Sequence, residues 1–157
     1  MLYPVKRMGS IALALLPLLG GCGQESMEDY VARNLEIDLP EPVSVTYADS
    51  HGGFHGDGLL HMELAFAPED WPAVEEAVSH HPNGHWNPFP MDSGMEAVVY
   101  GSFSEELSWP VPENGWWYLE DRQENGEGGM LTRASFNYTF AAYDCGTGVL
   151  YYQELDT

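Results

Sequence analysis

The sequence predicts an α+β domain built on an antiparallel β-sheet, with one or two short helices packed on one face of the sheet. Three observations support this fold class. Several segments alternate apolar and polar residues with the period of a strand, and most connections between them are short. Only two segments carry apolar residues at helical spacing, so strands dominate the chain.

Strands are predicted where this alternation runs between turn-forming residues. The first two strands are joined by a glycine-rich connection and should form a hairpin. The last two should form a second hairpin across a turn near Cys145. The predicted strands are residues 43–48, 59–66, 96–100, 116–121, 135–142 and 149–155.

Two helices are predicted, at residues 27–35 and 69–79. Ser26 and the acidic residues after it are typical of a helix N-terminus. In the second helix, Trp71 and Val74 recur at helical spacing and should pack on the buried face of the sheet. The same face is expected to carry three aromatic side chains of the strongest strand, Phe136, Tyr138 and Phe140.

The first segment is predicted to be a targeting signal and not part of the fold. Lys6 and Arg7 precede a short apolar run that ends in Leu19-Gly20-Gly21-Cys22. The run is too short to cross a bilayer, which takes about 20 apolar residues. This segment resembles the signal peptide of bacterial lipoproteins. The resemblance implies a diacylglyceryl group on the sulfur of Cys22, cleavage before Cys22, and a membrane anchor on the extracytoplasmic face.

The predicted domain organisation follows from that signal. Residues 1–21 are assigned to the lipoprotein signal peptide, residues 22–26 to the lipidated cysteine and its tether, and residues 27–157 to a single acidic α+β domain. About 130 residues are enough for one domain with its own core.

The charge of the mature chain narrows the classes of partner. The full chain of 157 residues has 25 Asp and Glu against 5 Lys and Arg, and a formal charge of −20. Removing residues 1–21 also removes Lys6 and Arg7, so the rest carries −22 and contains no lysine. Such a surface excludes nucleic acid, whose phosphates need clustered Lys and Arg. It favours a cationic protein or envelope component as partner.

All six histidines lie between residues 51 and 85, in two loops and one strand. His51, His55 and Asp57 share the glycine-rich loop 50–58, so they are candidate ligands of a divalent transition metal. The alternative is ordinary turn chemistry, which explains His and Asp among glycines without a metal. His61 alternates with Glu63 in a predicted strand and is expected to be a satisfied surface residue.

No catalytic residue is predicted. The sequence contains no G-x-S-x-G nucleophile motif, no G-x-x-x-x-G-K-[ST] phosphate loop, and no H-E-x-x-H or C-x-x-C metal motif. Cys145 lies in a predicted turn without a neighbouring cation, so it is expected to be a structural thiol. Arg122 and Arg133 are expected to form structural ion pairs with the many carboxylates.

The mature region also resembles small bacterial proteins of unknown function over about residues 30–157. The segments that carry the resemblance are Ser50–Gly58, Asn114–Arg122, Ser135–Thr139 and Leu150–Thr157. The resemblance implies a single domain and transfers no functional residue. The functional hypothesis is therefore a lipid-anchored, non-catalytic binding or interaction module of the cell envelope. The alternatives are a divalent-metal-binding lipoprotein that uses the histidine loops and, third, a small envelope hydrolase.

Overall fold

The structure, a computed structural model, describes residues 25–52, 57–81, 85–100, 109–123, 129–133 and 135–157. Within them the helices are α1 (Met27–Leu35), α2 (Trp71–Ser79) and α3 (Ser93–Tyr100), with a 3₁₀ turn at Met130–Thr132. The strands are β1 (Ser44–Asp49), β2 (Gly58–Ala65), β3 (Trp86–Pro88), β4 (Gly115–Asp121), β5 (Tyr138–Asp144) and β6 (Val149–Asp156).

All the strand pairings are antiparallel, and the sheet order is β1-β2-β6-β5-β4-β3. The predicted α+β class is thus confirmed. Both predicted hairpins form: β1 pairs with β2, and β5 pairs with β6 across the turn at 145–148. No helix among the described residues is long and apolar enough to span a membrane.

Helix α1 begins and ends where the sequence predicts. The hydroxyl of Ser26 accepts a hydrogen bond from the backbone N–H of Asp29 at 3.2 Å, which satisfies one donor of the first turn. Glu36 ends the helix in the left-handed conformation, with φ of 55°. Val31 and Leu35, four residues apart, are buried on one face of α1 against the sheet.

Both faces of the sheet are covered. Helices α1 and α2 pack on one face, which we call the α1/α2 face, together with Met62, Tyr143 and Tyr152. Helix α3 and the 3₁₀ turn pack on the other, the α3 face, together with Phe140 and Tyr151. The predicted packing of one or two helices on a single face therefore holds for α1 and α2. The packing of α3 and the 3₁₀ turn on the second face was not expected.

The aromatic residues near β5 do not share a face with helix α2. Trp71 and Val74 belong to the α1/α2 face. The expectation of a shared face was wrong. Alternation of apolar and polar residues shows which side chains of a strand lie on the same face, but it does not show which face a given helix covers. The three predicted aromatic partners pack on the α3 face instead: Phe136, Tyr138 and Phe140.

The predicted strand at 96–100 is wrong, since these residues belong to helix α3. A carboxylate oxygen of Asp92 accepts hydrogen bonds from the backbone N–H groups of Gly94 at 2.9 Å and Met95 at 3.4 Å. Asp92 therefore caps the helix start, and its effect outweighs the strand preference of Val98 and Val99. Strand β3, at Trp86–Pro88, is not among the predicted strands.

The β5–β6 turn is fitted closely to helix α2. Asp144 holds the turn by accepting hydrogen bonds from the N–H of Gly146 at 2.7 Å and the hydroxyl of Thr147 at 2.9 Å. Gly148 has φ of +67°, and a Cβ at this position would overlap the indole ring of Trp71. Glycine is needed here both for the conformation and for the close approach of the two segments.

Candidate functional site

A cavity of about 300 Å³ lies between helix α1 and the ends of strands β1, β2 and β6. We call it the acidic cavity. Its apolar lining comes from Met27, Tyr30 and Leu60. Its polar lining consists of the three carboxylates of Asp49, Glu154 and Asp156, together with His51.

The strand register brings these residues together. Asp49 pairs with Leu60, and Leu60 pairs with Glu154, so all three stand in one row across the α1/α2 face. Asp156 pairs with Gly58 one step further along. A Cβ on Gly58 would collide with the backbone of His51, so this glycine lets His51 lie over the end of β2.

His51 lies between two carboxylates. Its Nδ1 is 2.7 Å from Oδ1 of Asp49, and its Nε2 is 3.2 Å from Oδ2 of Asp156. Asp49 also accepts a hydrogen bond from the backbone N–H of His51 at 2.8 Å, and this bond is the main cause of the lowered pKa of Asp49. Both ring nitrogens of His51 are thus engaged within the cavity.

Glu154 is the most deeply buried acid of the cavity, with 7% of its surface exposed. Tyr30 donates a hydrogen bond to its Oε1 and Oε2 at 3.0 and 2.9 Å, Asn34 donates to Oε1 at 2.9 Å, and the hydroxyl of Tyr152 also donates to Oε1. All of these donors are neutral. In the described part of the chain, Glu154 forms no salt bridge.

The tyrosines around Glu154 remain protonated donors. Burial, followed by the hydrogen bond to Glu154, raises the pKa of both Tyr30 and Tyr152 above the ordinary value for a phenol. A phenol that holds its proton stabilises an ionised carboxylate, because it donates a charge-assisted hydrogen bond. The site therefore directs neutral hydrogen-bond donors at a buried carboxyl group beside an open cavity.

The three described arginines form ion pairs, and one of them, Arg122, reaches the acidic cavity through Asp156. Arg33 pairs with Glu25 at 2.8 Å, and Arg133 pairs with Asp121. Arg122 donates to the carbonyl oxygens of Tyr138 and Leu155 and to Asp156 at 3.0 Å. The prediction of structural ion pairs for Arg122 and Arg133 is confirmed.

The structure describes only two of the three predicted metal ligands. His51 lines the acidic cavity, Asp57 is exposed in the adjoining loop, and His55 lies outside the described residues. Where the chain is described, no group of three or more His, Cys, Asp or Glu side chains is placed to hold a metal ion. A metal site at His51, His55 and Asp57 stays a prediction.

The other described histidines lie apart from the acidic cavity. His80 and His81 line a wider depression of about 430 Å³ beside α2. This depression is larger than the acidic cavity, but its acidic side chains, Glu36, Asp38 and Glu76, are exposed to solvent and screened by it. It is therefore the weaker candidate for a charged ligand.

His61 is buried on the α3 face, so its predicted exposure is wrong. Only 8% of its surface is exposed, and its ring stacks on Trp109 with centroids 4.2 Å apart. Burial lowers the pKa of His61 from 6.5 to about 4, which keeps the ring neutral at neutral pH. Its Nδ1 has no hydrogen-bond partner among the described residues.

Cys145 has the character of a structural thiol. Burial, followed by the carboxylate of Glu75, raises the pKa of Cys145 to about 11. A thiol with that pKa is protonated at neutral pH, and a protonated thiol is a poor nucleophile.

Sequence reasoning identified His51 but not Asp49, Glu154 or Asp156, because sequence proximity between carboxylates means little in a chain with so many. Comparison with protein-family models, curated proteins and solved structures gives no match to this chain.

Proposed function

We propose that this protein is a lipid-anchored, non-catalytic binding module of the cell envelope, and that it holds a cationic group of its ligand in the acidic cavity. The observation that carries the proposal is the buried carboxylate of Glu154, which has neutral hydrogen-bond donors and no ion-pair partner in the described structure. A buried charge without a counter-charge costs several kcal/mol. A cation in the adjoining cavity would offset that cost.

The shape of the cavity supports an ammonium or guanidinium group on an apolar stem. Tyr30, Met27 and Leu60 offer contact to methylene groups, while Asp49 and Asp156 lie at the polar side. Long cationic side chains and alkylamines combine these two properties. The charge of −22 on residues 22–157 would attract such a ligand from solution and repel anionic competitors.

The predicted anchor would hold the cavity near a membrane. Cys22 and Met27 are five positions apart, and five residues of chain span at most about 18 Å. Met27 and Tyr30 of α1 both line the acidic cavity. A ligand of the lipidated protein would therefore be an envelope component close to the bilayer surface.

Lipidation is tested at Cys22. Cys22→Ser removes the thiol that would carry the diacylglyceryl group, so the variant should incorporate no labelled palmitate and should not be cleaved before residue 22. Both properties are measured on whole cells by labelling and by mass spectrometry of the N-terminus. Cys145→Ser is the matched control and should be labelled like the unchanged protein. Labelling of Cys22→Ser would refute the anchor.

Cation binding is tested with 1,4-diaminobutane as the probe and with 1,4-butanediol as its uncharged counterpart. Calorimetry on the full chain in a non-ionic detergent should detect binding of the diamine and none of the diol. Asp49→Asn keeps an acceptor for the N–H of His51 but removes one charge of the cavity. It should weaken diamine binding about fivefold, the equivalent of one partly exposed ion pair.

Glu69→Gln is the matched control for Asp49→Asn. Glu69 is an exposed acid outside the acidic cavity, so its replacement removes the same charge without changing the site. It should change diamine binding by less than about 1.5-fold, because long-range interactions of exposed charges are screened. Equal losses in the two variants, or equal binding of diamine and diol, would contradict the proposed function.

A further inference from the structure

The two edges of the sheet differ in how they are protected. Strand β3 forms one edge, has three residues and ends in Pro88, and both properties hinder the addition of another strand. Strand β1 forms the other edge, has six residues and contains neither proline nor lysine. No strand of the described structure pairs with the outer side of β1.

The register shows which backbone groups of β1 are open. The N–H of Ser50 donates to the carbonyl of Leu59 at 3.0 Å, so Ser50 faces β2. In an antiparallel pair, alternate residues direct both their N–H and C=O groups toward the partner. Val45, Tyr47 and Asp49 therefore direct these groups away from β2, where another strand could pair with them.

The side chains of the same three residues lie on the α1/α2 face. Val45, Tyr47 and Asp49 pair with Leu64, Met62 and Leu60, which belong to that face. Tyr47 is 59% exposed, and Asp49 lines the acidic cavity. The open edge of β1 is thus continuous with the candidate site.

We propose that β1 accepts an extended basic segment of a partner protein as an additional strand, with a lysine or arginine opposite Asp49 that directs its charge toward the acidic cavity. This inference rests on the proposed function, because it names the source of the cationic group. Directly paired residues on neighbouring strands have Cβ atoms about 5 Å apart, which a lysine or arginine side chain can bridge. The row Asp49, Leu60, Glu154 would then continue into the partner.

Charge selects this occupant over a second copy of the chain. Edge-to-edge pairing of two copies would bring together two domains of charge −22, with Asp49 at the end of each edge. An acidic segment of another protein would be repelled in the same way. A basic segment gains main-chain hydrogen bonds from the edge and ion pairs from the cavity.

The probe is an eight-residue peptide of alternating threonine and valine with one central lysine, capped at both ends. It should bind the full chain in a non-ionic detergent, and an analogue with glutamine in place of lysine should bind about fivefold more weakly. Two further analogues carry N-methyl groups on alternate backbone nitrogens, in opposite phases. Only the analogue whose N-methyl groups face β1 should lose binding, because only in that analogue do the methyl groups replace N–H groups that pair with β1.

Strand addition is tested on the protein side at Tyr47. Tyr47→Pro removes an outward N–H that bonds to no strand of the described sheet, and an edge strand tolerates proline at such a position. Peptide binding should fall about tenfold, as expected for a lost hydrogen bond and a blocked edge. Tyr47→Val removes the ring and keeps the N–H, so it should weaken binding much less. Amide exchange at Val45 and Tyr47 should slow when the peptide binds.

The outcomes separate this inference from the proposed function. If the peptide does not bind, or if both N-methylated phases bind like the parent peptide, strand addition is wrong, while diamine binding still decides the function of the cavity. If diamine binding fails but the peptide pairs with β1, only the cavity assignment fails. Sedimentation that shows a dimer abolished by Tyr47→Pro would identify a second copy as the occupant and overturn the proposal.

Discussion

Phe140→Ala is expected to lower the free energy of unfolding by about 3–5 kcal/mol, the usual loss for a buried aromatic side chain. Phe140 is fully buried in the centre of the α3 face, and its ring meets that of Tyr100 edge-on with centroids 5.6 Å apart. Truncation would leave a cavity between β5 and α3. Urea denaturation followed by tryptophan fluorescence measures the change.

Tyr47→Ala is the control for Phe140→Ala. It also truncates an aromatic strand residue to alanine, but at a largely exposed position of the edge strand. Its effect should stay within about 0.5 kcal/mol, as for most surface substitutions. If the two variants lost similar stability, the α3 face would not be a packed core.

Acidification from pH 7 to pH 4 is expected to cost about 3 kcal/mol of stability through His61 alone. Burial lowers the pKa of His61 in the folded protein to about 4, whereas the unfolded chain titrates near 6.5. The unfolded state therefore binds the proton first. The contribution of His61 is complete above pH 6.5 and declines as the pH falls toward 4. Denaturation midpoints measured across this range follow the decline.

His61→Phe isolates this effect, because it keeps an aromatic ring against Trp109 and removes the titrating group. The free energy of unfolding of the variant should depend less steeply on pH between 6.5 and 4. The difference in slope should correspond to at most one proton bound on unfolding. His80→Gln, which replaces an exposed histidine, is the matched control. Glu63 lies 3.9 Å from Nε2 of His61 and would favour the protonated ring, so Glu63→Gln should make the slope steeper. An unchanged slope in His61→Phe would show that His61 does not titrate in this range.

Local signals predicted the elements whose ends are fixed by nearby residues. Helix α1 begins at its serine cap and acidic first turn, and the strands of the two hairpins follow the alternation of apolar side chains. Helix α3 was missed because a short apolar run fits a strand or a buried helix equally well. Its aspartate cap was the available signal.

The packing of helix α3 and other segments on the α3 face could not be predicted in the same way. Alternation in β2 correctly separates His61 from Met62, but it does not show whether the face of His61 meets solvent or other segments of the chain. Contact with Trp109, 48 positions further along, decides this. Long-range packing of this kind leaves no local pattern in the sequence.

The candidate site depends on register for the same reason. Asp49 and Glu154 are more than 100 residues apart, and they stand in one row only because Leu60 pairs with both. His51 was singled out by its residue type and its glycine-rich loop. The acids were indistinguishable from the rest of a strongly acidic chain until the strands were aligned.

The position of β6 has a consequence for biogenesis. This strand is the last of the six along the chain, yet it lies in the middle of the sheet, between β2 and β5. Until it emerges, β1 and β2 have only each other, and a lone hairpin is marginally stable in water. At about 5–20 residues per second, the ribosome makes β6 roughly 5–20 s after β1. During that interval the nascent chain has no completed sheet, because the β1-β2 pair and the β5-β4-β3 group stay unjoined until β6 pairs with both β2 and β5.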